Sequence, residues 1–201
     1  MKGAVFLDRD GTTSEELGYV NHIDRFRLFP WTAAAIRRLN QASIPVVLVT
    51  NQAGVAMGYF PEALVQEIHR NLQHELALAD AHLDGIYYCP HHPYATVPEY
   101  RSSCDCRKPA PGMLLRAAAE LGLDLKSSCV IGDRYNDVET ATRVGARSVL
   151  VLSGYGKGEY LYHAETWPRM PDHVADDLDE AATWVIQDFY QRRLDLHQQA
   201  D

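Results

Sequence analysis

The stretch Ala4-Val5-Phe6-Leu7, followed by Asp8-Arg9-Asp10-Gly11-Thr12, decides the fold of this 201-residue chain. Four apolar residues bounded by polar, glycine-containing sequence predict a buried strand that ends in a loop. Two carboxylates, Asp8 and Asp10, then stand where that strand ends. In an open parallel sheet this is the edge at which ligands bind. Paired carboxylates withdrawn from water need a cation or a proton to neutralise them. Taken alone, Asp-x-Asp-Gly reads equally well as a polar turn. The rest of the chain has to decide between the two.

The same pattern recurs along the chain. Val46-Val47-Leu48-Val49 predicts a second strand, ending in Thr50-Asn51-Gln52-Ala53-Gly54. Residues Gly85 to Tyr88 predict a third strand. Cys129 to Ile131 predicts a fourth, ending in Gly132-Asp133, and Ser148 to Leu152 a fifth. Helices are predicted between them. The first covers Trp31 to Ala42, with Ala35, Ile36 and Leu39 on one face and Thr32 as a cap. The second covers Pro61 to Ala79, with Leu64, Ile68, Leu72 and Leu76 at i, i+4 spacing. The third runs from Pro111 to Leu121 and stops at Gly122. The fourth runs from Asn136 to Val144 and stops at Gly145. The last covers about Leu178 to Tyr190. Ser153 to Gly158 reads as a Gly/Tyr-rich loop, and the polar tail from Gln191 is expected to fray. Alternating strands and helices predict an α/β domain with a Rossmann-like, doubly wound parallel sheet, one domain over residues 1–201. Such a sheet brings Asp8 and Asp10, Thr50 and Asn51, and Asp133 to one edge. That convergence favours a site over a turn.

Composition narrows the chemistry. The net charge of −8 argues against a protein that coats nucleic acid, which needs a basic face. It is compatible with a locally positive pocket for a small anion. No apolar run approaches the roughly 18 residues that span a membrane. Met1-Lys2-Gly3 leads directly into a strand, so a cytoplasmic protein without a signal peptide is expected. Without an evident exposed apolar stripe, a monomer is expected.

Phosphoryl transfer fits the strand-end residues. A phosphate monoester is a dianion, so a carboxylate nucleophile needs a cation between the two. Asp8 and Asp133 offer hard oxygen ligands for Mg²⁺. Asp8 then attacks phosphorus, and Asp10 moves the proton. Thr50 hydrogen-bonds phosphoryl oxygens, and Lys108, preceded by Arg107, balances the remaining charge. Read singly, Thr50 caps a loop, Lys108 is a solvated charge and Asp133 is a turn residue. Asp137 reads as a helix-start residue near the positive dipole end, with a supporting role at most.

Three of the four cysteines crowd into residues 89–106. Cys89-Pro90-His91, twelve residues, then Cys104-Asp105-Cys106 gives three thiolates and one imidazole. That is the donor set of a closed, structural zinc site. His92 is a spare ligand, and Cys129 reads as a buried core residue. Zinc here would fix Arg107 and Lys108, which follow Cys106 directly.

Asp8-x-Asp10-Gly11-Thr12, Thr50 after a strand, Lys108-Pro109 and Gly132-Asp133-x3-Asp137 together resemble the four-motif signature of haloacid dehalogenase superfamily phosphatases. The resemblance implies a Rossmann-like fold, Asp8 as nucleophile and Asp10 as acid/base. It also implies Mg²⁺ on Asp8, the main-chain carbonyl of Asp10, and Asp133. With the zinc loop, Gly18-Tyr19-Val20, Thr50-Asn51-Gln52 and Gly58, the chain resembles the D-glycero-D-manno-heptose 1,7-bisphosphate 7-phosphatase branch. No insertion is long enough for a cap domain. The resemblance implies a small phosphorylated sugar as substrate. It implies contacts at Glu16, Leu17, Gly18 and Tyr19, at Thr50, Asn51, Gln52 and Ala53, and at Arg107 and Arg134. The chain departs from the branch's usual Asn-Gln-Ser-Gly-Ile-Ala-Arg-Gly at Ala53 and Met57, and carries Glu16 where Asp is common. Histidinol-phosphate phosphatase is a sister alternative with a similar zinc cluster, but its loop between ligand pairs is typically shorter than the twelve residues here. A nucleic-acid end phosphatase and a zinc-stabilised binding module are the alternatives from other classes.

Overall fold

A computed structural model describes residues 2–198. Six strands form one parallel sheet in the order β3-β2-β1-β4-β5-β6. They are β1 (Val5–Leu7), β2 (Val46–Asn51), β3 (Gly85–Cys89), β4 (Cys129–Gly132), β5 (Arg147–Val151) and β6 (His173–Ala175). The strands are short and almost wholly apolar because both sheet faces are covered. Alternation along each strand divides the core in two. Val5 and Leu7, Val46 and Leu48, Cys129 and Ile131 point to one layer. Ala4 and Phe6, Val47 and Val49, and Val130 point to the other.

Helices α1 (Thr32–Gln41), α3 (Glu62–Leu78) and α7 (Leu178–Gln198) cover the first layer. Ile36 and Leu39, Ile68, Leu72 and Leu76, and Ala181 and Val185 supply the packing stripes. Helices α4 (Gly112–Leu121) and α5 (Tyr135–Val144) cover the second, through Met113, Leu114, Ala117 and Ala141. Gly122 and Gly145 end these two helices in the left-handed conformation, at φ 65° and 71°. The chain lays down β1, β2 and β3 outward in one direction, then returns to place β4 beside β1. The sheet therefore has its switch point at the carboxyl end of β1, and Asp8 follows Leu7 directly.

The predicted strands and helices are all present, with bounds moved by a few residues at most, apart from the last helix. Three elements carried no readable signal. Helix α2 (Ala53–Ala56) is a single turn. Helix α6 (Gly156–His163) begins inside the stretch Ser153 to Gly158 read as loop and runs five residues beyond it; only Gly156 of it is buried, so it has no apolar periodicity. Strand β6 is a three-residue edge strand. The tail expected to fray from Gln191 continues α7 to Gln198, with Arg192 paired to Asp188 one turn earlier; residues 199–201 lie outside the described part. Thr32 is not the cap of α1: Trp31 holds that position, and the Thr32 hydroxyl donates to the Thr13 carbonyl at 2.6 Å. No helix among the described residues is long and apolar enough to cross a membrane.

Leu72 is fully buried on α3. Leu72→Ala is expected to lower unfolding free energy by about 3 kcal/mol, seen as a lower urea midpoint at unchanged slope.

Candidate active site

Asp8, Asp10, Thr50, Lys108 and Asp137 line a single cleft of about 280 Å³ at the carboxyl edge of the sheet. Each arrives by a different route. Asp8 and Asp10 follow β1, Thr50 and Asn51 end β2, and Asp133 follows β4. Lys108 comes from the irregular segment after β3 and is almost fully buried. Its Nζ bridges Asp8 Oδ1 at 2.9 Å and Asp137 Oδ1 at 2.6 Å. Burial opposes charge on this amine, but Asp137 and Asp8 outweigh it and raise its pKa, so Lys108 stays protonated. Asn51 fixes the lysine's backbone from both sides, donating to its carbonyl at 3.1 Å and accepting from its N–H at 3.0 Å.

Asp137 is a member of the site rather than a helix-start residue alone. It accepts from Lys108 through Oδ1 and from the Arg134 N–H through Oδ2. Its spacing, four residues after Asp133 on the first turn of α5, was the available signal. Asp8, Asp133 and Asp137 bring carboxylate oxygens within 4.8 Å of one another. Burial, followed by repulsion from Asp8 and Asp137, pushes Asp133 up to about 8. Burial likewise pushes Asp8 up to about 6 although Lys108 pulls it down. Asp133 Oδ2 accepts from the Tyr155 N–H at 2.8 Å, but its buried Oδ1 has no hydrogen-bond partner. An orphaned, buried carboxylate oxygen beside a second carboxylate fits a hard divalent cation such as Mg²⁺. Both Asp137 oxygens are engaged, by Lys108 and by the Arg134 N–H, whereas Lys108 and the Arg9 N–H both meet Asp8 at Oδ1, which leaves Asp8, through Oδ2, and Asp133 as the side-chain donors.

Asp10 turns toward a buried arginine that sequence reasoning had passed over. Arg9 Nε and Nη2 fork onto the Asp10 carboxylate at 2.9 and 2.8 Å, and Nη2 also donates to Gln52 Oε1 at 2.8 Å. Burial favours the neutral acid, but Arg9 and the Gln52 and Ser14 hydrogen bonds together lower the Asp10 pKa. Gln52 Nε2 donates to both Asp10 Oδ2 and Thr50 Oγ1, so the amide ties the two residues together. Arg9 also faces Nε2 of His69, a buried imidazole that desolvation and Arg9 depress to about 3, hence neutral. An arginine placed between two strand-end aspartates was the only sequence clue to this network.

Of the expected substrate residues, Glu16, Gly18, Tyr19, Asn51, Gln52, Ala53, Arg107 and Arg134 line the cleft with Thr50. Leu17 is exposed outside it. Glu16 accepts from the Gly18 N–H at 2.5 Å, and Gly18 holds the turn at φ 74°. Arg107 lies on the zinc-loop side and donates to the His91 carbonyl at 3.3 Å.

The zinc ligands converge. Sγ of Cys106 lies 3.1 Å from that of Cys89 and 3.0 Å from that of Cys104, and His91 Nδ1 lies 3.4 Å from Cys106. All four donors sit within 4.8 Å of each other, and the cysteines form no disulfide. Three sulfurs and one imidazole nitrogen closing on one point are the donor set of structural zinc. His92 is not in the cluster; its Nδ1 accepts from the Tyr94 N–H. Cys129 is buried in the core, as expected.

Two measurements follow from this geometry. Cys106→Ser is expected to abolish stoichiometric zinc and lower Tm by about 5 °C or more; a zinc-free protein of unchanged Tm would refute the cluster. Asp8 and Asp133 have folded pKa values above their unfolded ones. Their contribution is therefore complete below about pH 4 and is lost as pH rises through 6 and 8. Metal-free protein should lose Tm from pH 5 to pH 8, and Mg²⁺ should raise Tm more at pH 8 than at pH 5.

A HAD-hydrolase-like family model matches residues 105–181. The D-glycero-beta-D-manno-heptose-1,7-bisphosphate 7-phosphatase of Escherichia coli K12 is 46% identical over 185 residues, covering 91% of this chain and 87% of that protein. The enzyme of the same name from Photorhabdus laumondii is 47% identical over 153 residues, 75% of this chain and 81% of that one. Among solved structures, D,D-heptose 1,7-bisphosphate phosphatase from B. bronchiseptica, complexed with magnesium and phosphate, superposes with a TM-score of 0.81. It is 33% identical, covering 94% of this chain and 99% of that one. With 46% identity over 91% of this chain and 87% of the Escherichia coli enzyme, the chain belongs to the D-glycero-beta-D-manno-heptose-1,7-bisphosphate 7-phosphatase family of HAD-like hydrolases.

Proposed function

We propose that the chain, acting as one domain over residues 1–201, removes the 7-phosphate of D-glycero-beta-D-manno-heptose 1,7-bisphosphate. The observation that carries the reading is Lys108 held between Asp8 and Asp137 beside the orphaned Asp133 oxygen, in a cleft that also holds Asp10 and Thr50. The name shared by the relatives supplies the sugar. The chain works as a cytoplasmic monomer on a small sugar phosphate, with no nucleic-acid or membrane partner; the net charge of −8 supports the exclusion of nucleic acid.

The Asp8 carboxylate attacks the phosphorus of the ester, and the bond from phosphorus to the sugar oxygen breaks. Asp10 gives that oxygen a proton. An aspartyl-phosphate on Asp8 results. Asp10, now ionised, takes a proton from water, whose oxygen attacks the same phosphorus and releases inorganic phosphate and free Asp8. Arg9 stabilises the Asp10 carboxylate, which suits the base step and makes the protonated form a strong donor in the acid step. Lys108 and Thr50 hold the transferring oxygens. When bound by Asp8, Asp133 and the Asp10 carbonyl, Mg²⁺ supplies the charge neutralisation that lets one anion approach another. Arg107 and Arg134, on the cleft wall, bind the phosphate that is not transferred.

A rate profile across sugar bisphosphates and histidinol phosphate tests the substrate. Faster turnover of histidinol phosphate would sink the assignment. Asp8→Asn is expected to lower kcat by more than about 10³-fold, and Asp10→Asn by about 10²–10⁴-fold.

A further inference from the structure

The Gly/Tyr-rich loop between β5 and α6 has no part in the reaction as described, yet it is built onto the active edge. Ser153 Oγ donates to the Gly11 carbonyl at 2.6 Å. Gly154, at φ 55°, lies so close to Gly11 and Asp133 that a Cβ there would overlap both. The Tyr155 N–H donates to Asp133 Oδ2 at 2.8 Å. A side-chain hydrogen bond, a close backbone approach and a backbone N–H bond therefore fix where the Tyr155 side chain starts. Its ring lies on the cleft wall, with the guanidinium carbon of Arg134 only 3.9 Å from the ring centre.

Arg134 is half-buried at the start of α5 and lines the same cleft. An arginine side chain at such a rim has several rotamers to choose from, and ordering it costs binding free energy when a ligand arrives. A flat aromatic face under the guanidinium selects one arrangement before binding, while the N–H edge of the guanidinium stays available. The other cations are fixed by other means: Lys108 by Asp8 and Asp137, and Arg107 by the His91 carbonyl. For Arg134 the corresponding contact is the tyrosine ring.

We propose that Tyr155 is a positioning residue whose ring holds Arg134 ready for the anionic group of the substrate that is not transferred. The proposal rests on the reading of Arg134 as a contact to a bisphosphate. Tyr155 touches no reacting atom in it. Its effect should therefore appear in KM for the bisphosphate rather than in kcat.

Steady-state kinetics of Tyr155→Leu, Tyr155→Phe, Arg134→Gln and the Arg134→Gln/Tyr155→Leu double variant test this, with the heptose bisphosphate and p-nitrophenyl phosphate as substrates. Tyr155→Leu is expected to raise KM for the bisphosphate about fivefold with little change in kcat. The preference for the bisphosphate over p-nitrophenyl phosphate should fall by a similar factor. Tyr155→Phe, which keeps the ring face, should restore the KM. In the Arg134→Gln background, Tyr155→Leu should add nothing. Equal losses on both substrates, an unchanged KM, or a full additive effect in the double variant would overturn the proposal. If Arg134→Gln leaves the bisphosphate KM unchanged, the reading of Arg134 itself fails; if only Tyr155→Leu does so, the failure is confined to Tyr155.

Discussion

The ion pair that Lys108 makes with Asp8 and Asp137 is the contact on which the site depends. Four carboxylates, Asp8, Asp10, Asp133 and Asp137, gather at the end of β1 with two cations, Arg9 and Lys108, among them. With all four carboxylates ionised the balance is two negative charges, the charge that one divalent cation neutralises. Without Lys108 the cluster would hold three mutually close carboxylates with no fixed countercharge, and burial would drive protons onto them. The residual strain is visible in the raised pKa values of Asp8 and Asp133, whereas Asp10, clamped by Arg9, is shifted the other way. Two carboxylates two residues apart are thus placed in opposite electrostatic surroundings. In the proposed reaction that difference separates a metal-facing nucleophile from a proton carrier.

Lys108 is held in place from far outside the sheet. The segment between β3 and α4 has little apolar content, so hydrophobic burial alone does not fix its path. The four zinc ligands at Cys89, His91, Cys104 and Cys106 supply the missing constraint, and Gly112 N–H closes the segment onto the Asp105 carbonyl. The lysine stands two residues beyond the last thiolate, and Asn51 at the end of β2 grips its backbone. A structural metal therefore acts on the chemistry through geometry, by setting where one ammonium group meets two carboxylates.

In the proposed function the substrate is selected on the cleft rim, where the constraints are weaker. Glu16, Tyr19, Arg107 and Arg134 are partly exposed, and each depends on a local device: the Gly18 turn, the Tyr59 ring 4.7 Å from that of Tyr19, the His91 carbonyl, and the Tyr155 face. Asn51 and Gln52 line the cleft too, but their amides are engaged with Lys108 and with the Arg9–Asp10–Thr50 network. They shape the site by holding other residues. Ala53 also lines the cleft and offers it no polar side-chain group.

The order of strands and helices, the two-layer core and the strand-end aspartates were legible in the residues themselves. Apolar runs such as Val46 to Val49 must be buried, and periodic stripes such as Ile68, Leu72 and Leu76 must pack, whatever their partners are. The Cys/His cluster was legible because three cysteines and a histidine at fixed spacing have few alternative uses. Helix α6 and strand β6 were not legible: one lacks an apolar stripe and the other is three residues at an edge, so only contact with the finished sheet defines them. The same holds for Asp137 as a partner of Lys108, for Gln52 against Arg9 and Asp10, and for Tyr155 against Arg134. Lys108 and Asp137, and Asp133 and Tyr155, lie 29 and 22 residues apart in sequence. Local spacing carries no information about such pairs, because they form only when the crossovers bring separate strand ends to one edge. The sequence by itself determined which groups were present to do chemistry; the tertiary structure decided which charges meet, and hence which of those groups are held ionised, held protonated or held ready for a ligand.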